Sequence, residues 1–92
     1  MNIDYKTVAL CEYFRRQPDG EYHPAIVREE MGISLSAWRQ FTKFHLYPEY
    51  SRARDALSQL GVYIKTSKQP RIIEGRPLYI STFVKLTIDE AG

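Results

Sequence analysis

Residues 24–43, PAIVREEMGISLSAWRQFTK, decide the fold because they predict two short helices joined by a tight turn. Apolar side chains at helical spacing give the first helix one apolar side: Ile26, Val27 and Met31. Gly32 can adopt the positive φ that a sharp turn requires, and Ser34 is a favourable N-cap for the segment that follows. The stretch therefore predicts a helical hairpin near the middle of the chain.

The second segment, residues 35–45, divides into two faces at helical spacing. Its apolar face is predicted to carry Leu35, Trp38, Phe41 and His45. Its polar face carries Ser36, Arg39, Gln40 and Lys43, which we call the basic face. None of these four residues is acidic, so the face is suited to a negatively charged partner.

This pair of helices resembles the helix-turn-helix family, in which the second helix enters the major groove of DNA. The resemblance lies in the apolar Val27, Met31 and Ile33, the turn Gly32, and Trp38 and Phe41 where the family usually has aliphatic residues. Arg28 stands where the family prefers a small residue, so either its side chain turns outward or the two helices match the family in a different register. The resemblance implies that the basic face reads base edges of double-stranded DNA.

Two more helices are predicted, one on each side of the helical hairpin. Residues 4–17 predict a helix with Asp4 as N-cap and the apolar stripe Thr7, Leu10, Cys11 and Phe14. Pro18 to Gly20 end it, and a short extended piece precedes the second helix at 24–31. Residues 49–60 predict the last helix, which ends at Gly61.

After Gly61 the hydrophobic period changes to two, which predicts strands at 62–66 and 78–86. In the second strand, Leu78, Ile80, Val84 and Leu86 are expected to alternate with Tyr79, Ser81, Phe83 and Lys85. A loop with a Glu74-Gly75 turn joins the two strands, and the cations of this region are Lys65, Lys68, Arg71 and Arg76.

Helices followed by a basic hairpin are similar to the winged helix-turn-helix family. The resemblance implies an α+β fold in which three to four helices precede a C-terminal β-hairpin, the wing, within a single domain spanning residues 1–92. The predicted core comprises Leu10, Phe14, Val27, Trp38, Phe41, Leu57, Leu60, Ile64 and Ile80. Lys65, Lys68, Arg71 and Arg76 are expected to bind DNA phosphates.

A second assignment of the recognition helix stays open. In many winged domains the recognition helix leads directly into the first wing strand, and here residues 49–60 do so. The contacts would then come from Arg52, Arg54 and Gln59. We favour residues 35–45 because their polar face contains no acid.

Composition and charge restrict the function. The chain has 92 residues, of which 43% are hydrophobic and 26% charged, as expected for a folded domain. Residues 1–33 carry four basic and six acidic side chains, whereas residues 34–85 carry nine and three. This asymmetry indicates one face that meets a polyanion. No apolar run could span a bilayer, and the single Cys11 cannot form an internal disulfide, so we expect a cytoplasmic protein.

No catalytic constellation is recognisable in the sequence. The single cysteine and the two histidines, at positions 11, 23 and 45, lack the close spacing of metal sites, and no phosphate-binding glycine loop is present. We therefore expect no enzyme, no cofactor and no bound metal.

Two functional hypotheses follow. The first is sequence-specific binding of double-stranded DNA by a small transcriptional regulator, such as a repressor, acting as a homodimer because one small domain is poorly selective. The second is a winged-helix module that binds a protein partner as a small inhibitor or adaptor. Seven tyrosines keep the second hypothesis open, since exposed tyrosine is favoured at protein interfaces.

Overall fold

The helices come first along the chain and most of the strands follow, which confirms the α+β prediction. The computed structural model describes residues 4–87. Its helices are α1 (Tyr5–Arg15), α2 (Pro24–Met31), α3 (Leu35–Phe41) and α4 (Arg52–Ser58), and a π-helical turn, Thr42–Leu46, continues α3. Its strands are β1 (Gly20–Tyr22), β2 (Val62–Thr66), β3 (Arg71–Ile73), β4 (Arg76–Leu78) and β5 (Ser81–Lys85).

Side-chain caps determine where the helices begin. The Asp4 carboxylate accepts a hydrogen bond from the Lys6 backbone N–H at 2.8 Å, and Ser34 Oγ accepts one from Ala37 at 3.2 Å. Ser51 Oγ accepts from the Arg54 N–H at 3.1 Å, so α4 begins at residue 52 and not at the predicted residue 49. Each cap satisfies a backbone donor that has no partner within its helix.

The turn between α2 and α3 depends on Gly32, whose φ of 71° lies in the left-handed region. Arg28, on the last turn of α2, donates from Nη1 to the Ile33 carbonyl at 2.8 Å. Its guanidinium thus spans the turn, and its Nη2 atom lies 3.8 Å from the Glu29 carboxylate. Arg28 therefore stabilises the helical hairpin from its rim, which explains how a large residue is accommodated where a small one was expected.

Strands β1, β5 and β2 form an antiparallel sheet in that order, so the central strand is the last in sequence. β5 pairs Phe83 with Ile64 of β2 and with Tyr22 of β1. Between β2 and β5, strands β3 and β4 form a separate two-stranded ribbon. Its turn has positive φ at both Glu74 (52°) and Gly75 (74°), as a two-residue type I′ hairpin requires.

The core lies between the four helices and the inner face of the sheet. Its buried apolar residues are Leu10, Cys11, Phe14, Val27, Trp38, Phe41, Leu46, Ala53, Leu57, Val62 and Phe83. Aromatic rings meet at its centre: the Phe83 ring centroid is 5.1 Å from that of Phe14 and 6.4 Å from that of Trp38. The first helix, the helical hairpin and the sheet therefore share one core.

The side of the last strand that was predicted to face the core, on which Ile80 lies, is wrong. Phe83 is 1% exposed and faces the core, whereas Leu86 is 56% exposed and Ile80 precedes β5 and is only partly buried. Residues opposite each other in an antiparallel pair share a face, so pairing with the inward Ile64 directs Phe83 inward. Residues 79 and 80 lie between β4 and β5, which breaks the strand predicted for 78–86.

Lys85 connects the sheet to the end of α1. Its Nζ donates to the carbonyls of Phe14 and Gln17, the latter at 2.6 Å. Helix C-termini have free carbonyls and a partial negative charge, which a cation stabilises. Lys85 therefore has a structural role, although it contributes to the basic charge of the C-terminal half.

Asp19 follows α1 and binds Thr87, which follows β5. Its carboxylate accepts hydrogen bonds from the Thr87 hydroxyl and from the Thr87 backbone N–H, the latter at 2.7 Å. These bonds favour the charged form, and they hold the pKa of Asp19 below its ordinary 3.8. Because the pKa of Asp19 is lower in the folded protein, ionised Asp19 stabilises the fold fully above pH 3.8. This contribution is lost as the pH falls through the lowered pKa.

We therefore expect Asp19→Asn to remove this part of the acid dependence of stability. Urea unfolding measured between pH 6 and pH 2.5 should show a smaller loss of stability at low pH in the variant than in the wild type. Thr87→Val, which lacks the hydroxyl donor, should raise the pKa of Asp19 and move the loss to higher pH. An identical pH profile in all three proteins would show that this contact does not stabilise the fold.

Candidate nucleic-acid interface

The basic face is exposed along its whole length. Ser36, Arg39 and Gln40 lie on α3 and Lys43 lies on the π-helical turn, and all four are exposed. Trp38, 6% exposed, and Phe41, 2% exposed, anchor the opposite side of the helix in the core. The side chains of the basic face are therefore presented to solvent from a segment that the core holds in place.

The π-helical turn changes which residues face the core. Its i→i+5 geometry is visible in the 2.7 Å hydrogen bond from the Tyr47 N–H to the Thr42 carbonyl. Within the turn, His45 of the predicted apolar face is exposed, whereas Thr42 and Leu46 are buried. Leu35, at the start of α3 and ahead of the turn, is exposed as well. A π turn advances each residue through a smaller angle than an α turn, so Leu46 takes the inward position predicted for His45.

His45 instead connects the π-helical turn to the start of α1. Its ring stacks on Phe41 with centroids 6.2 Å apart, and its Nε2 lies 3.8 Å from the Asp4 carboxylate. Asp4 is also the N-cap of α1. The contact orients the end of the basic face relative to the first helix.

Phe44 is a surface residue that the sequence analysis missed. Its side chain is 60% exposed, and the Lys43 ammonium lies 5.4 Å from its ring centroid. The sequence signal was present, because Phe44 follows Gln40 by four residues and so continues the basic face. An apolar residue on a polar helical face is the pattern that could have identified it.

The predicted wing cations are all exposed, but they lie on different elements. Lys65 is on β2 and Lys68 is in the loop after it, whereas Arg71 and Arg76 are on the β3–β4 ribbon. In the ribbon Arg71 pairs with Leu78, and Ile73 pairs with Arg76. Because side chains alternate along a strand, residues 71, 73, 76 and 78 share one face. The two arginines are therefore neighbours on one side of the ribbon.

The alternative recognition helix presents a weaker set of contacts. Arg54 is partly buried and donates from Nη1 to the Tyr47 carbonyl at 3.3 Å. Gln59 lies just beyond α4 and donates to the Asp55 carboxylate at 3.5 Å. Arg52 is exposed, although Asp55 accompanies it on the outer side of the helix. Two of the three alternative residues are thus engaged in contacts within the protein.

The part of the chain that the structure describes has no metal site, no membrane-spanning helix and no exposed thiol. Between residues 4 and 87, no group of three His, Cys, Asp or Glu side chains is arranged to hold a metal ion. Within the same range, every helix is too short or too polar to cross a membrane. Cys11 is buried, and burial raises the pKa of its thiol, so it belongs to the core.

Comparison with models of known protein families, with curated proteins and with solved structures finds no match to this chain.

Proposed function

We propose that the protein is a winged helix-turn-helix domain that binds double-stranded DNA in a sequence-specific manner and acts as a small transcriptional regulator. The observation that carries the proposal is the exposed basic face on a helix anchored by Trp38 and Phe41. A helix with a free cationic and amide-bearing side fits the major groove, where such side chains contact base edges.

The topology supports the proposal. A helical hairpin with a glycine turn lies between β1 and β2 of the antiparallel β1-β5-β2 sheet, and a basic ribbon lies between β2 and β5 in the chain. This arrangement fits a recognition helix and a wing. The additional helix α4 separates α3 from β2, and its Ala53 and Leu57 are buried. In this proposal α4 braces the wing against the core.

The candidate contacts divide by chemistry. Arg39 and Gln40 can pair bidentately with guanine and adenine respectively, so these residues are assigned to base reading, with Ser36 beside them. Lys43 and the wing cations Lys65, Lys68, Arg71 and Arg76 are assigned to phosphates. A homodimer on two half-sites would supply the selectivity that a domain of this size lacks. Light scattering on and off DNA tests that part of the proposal.

We expect Arg39→Ala and Arg76→Ala to impair DNA binding in different ways. Arg39→Ala should cost about 1–3 kcal/mol on a preferred duplex and little on random DNA, because it removes a base contact. Arg76→Ala should weaken binding to all sequences alike, because it removes a phosphate contact. The slope of log affinity against log salt concentration should become shallower by about one unit. Both should be measured on a duplex enriched from a randomised library and on random duplex, across a salt series.

Arg52→Ala and Arg54→Ala are the matched controls, since each removes one arginine from the alternative recognition helix. They should retain the wild-type preference between the two duplexes. If Arg52→Ala and Arg54→Ala lose this preference while Arg39→Ala keeps it, α4 is the recognition helix. If no variant differs from the wild type, or the library yields no enriched sequence, the proposed function is wrong.

A second candidate function is favoured by exposed apolar residues that do not belong to the basic face. Tyr50 is 94% exposed and has a positive φ of 64°, a conformation that is unfavourable for a bulky side chain. Ile72 on the ribbon is 68% exposed. Such residues fit a protein partner of the inhibitor or adaptor kind. DNA binding that falls steeply with salt would favour the first function, whereas the second requires no DNA binding.

A further inference from the structure

Phe44 is a large apolar side chain beside the polar residues of the basic face. It lies within the π-helical turn between Thr42 and Leu46, both of which are buried, yet its own side chain is 60% exposed. The buried neighbours occupy the inward positions of the turn. Phe44 is therefore directed outward by the backbone of the turn, and its apolar surface is available to a ligand.

The position of the ring places it among the candidate DNA contacts. Phe44 lines one shallow groove together with Gln40, which precedes it by one helical turn. The Lys43 ammonium lies over the ring, 5.4 Å from its centroid. A ligand that meets Gln40 and Lys43 on this segment would also meet Phe44.

The chemistry of the major groove selects a partner for this ring. The base edges there carry hydrogen-bond donors and acceptors, and the apolar group among them is the 5-methyl of thymine. Adenine, the base that suits a glutamine amide, pairs with thymine, so a methyl lies in the same groove beside it. We propose that Phe44 contacts a thymine 5-methyl group and contributes to sequence specificity. This inference rests on the proposed function.

The experiment uses duplexes enriched by the wild-type protein from a randomised library. Each thymine of the enriched site is replaced singly by deoxyuridine, which lacks only the methyl group. The wild type should lose affinity about fourfold at one of these positions, the equivalent of one buried methyl group. Phe44→Ala should bind the thymine and uracil duplexes equally, whereas Phe44→Leu should still distinguish them because it retains an apolar contact.

Leu86→Ala is the matched control. Leu86 is 56% exposed and follows β5, next to the end of α1 that is remote from Asp4 and His45. This variant should discriminate between thymine and uracil as the wild type does. Thermal unfolding of each variant should show that the exposed substitutions leave the fold intact.

The outcomes separate the two proposals. An enriched site at which no uracil substitution affects the wild type, or at which Phe44→Ala still discriminates, overturns the thymine contact and leaves DNA binding standing. Failure of the library to yield any enriched sequence overturns the proposed function and this inference together.

Discussion

Trp38→Ala should lower the free energy of unfolding by about 3–5 kcal/mol, the usual cost of truncating a large buried aromatic side chain. Trp38 is 6% exposed, and its ring centroid lies 5.9 Å from that of Phe41 and 6.4 Å from that of Phe83. It thus joins the helical hairpin to the sheet. Since small domains have total stabilities of about 5–15 kcal/mol, this loss would leave the fold marginal.

Urea unfolding monitored by circular dichroism measures the effect. Leu35→Ala is the matched control, because Leu35 begins the same helix and is 49% exposed. The control should change stability by about 0.5 kcal/mol, as exposed substitutions usually do. Equal stability of the two variants would contradict the position of Trp38 in the core and would make it available to a partner.

Phe83→Ala should have a comparable effect, about 3–5 kcal/mol, since Phe83 is 1% exposed at the centre of the aromatic cluster. It lies on the central strand β5, which pairs with both β1 and β2. Loss of its ring would leave a cavity between α1, α3 and the sheet. Thermal and urea unfolding should both report the loss.

Val84→Ala provides the control on the adjacent position of the same strand. Val84 is on the opposite face of β5 and is only partly buried, so the expected cost is about 1 kcal/mol. The predicted core position of Ile80 would instead turn Val84 inward and Phe83 outward, because residues 80 and 84 of one strand share a face. A larger loss for Val84→Ala than for Phe83→Ala would therefore restore that alternation and contradict the observed register.

Local signals predicted much of the helical part. Asp4 and Ser34 are N-caps, Gly32 is at the turn between α2 and α3, and Trp38 is buried. These features depend on residues within a few positions of one another: a side-chain oxygen near a free N–H, a glycine with positive φ, or apolar residues at helical spacing. The basic face was also recognisable, because its spacing is local.

The facing of the strands and the end of α3 could not be predicted from neighbouring residues alone. The orientation of Phe83 depends on which residue of β2 it pairs with, and a shift of one residue reverses the face of every side chain. The π-helical turn likewise replaces His45 by Leu46 in the core, although the α-helical period fits the sequence equally well. In both cases the local sequence is compatible with two patterns, and packing against distant elements determines which of them forms.

The sequence by itself determined the helical hairpin, the basic face and the concentration of positive charge after residue 33, since each depends on residue identity and short-range spacing. Only the tertiary structure decided that Arg71 and Arg76 share one side of a ribbon, that Lys85 caps α1, and that Leu46 takes the inward position predicted for His45. The physical reason is that these relations join segments far apart in the chain, or follow from a backbone geometry stabilised by the core. Strand pairing and core packing select one such arrangement from several with the same local energy.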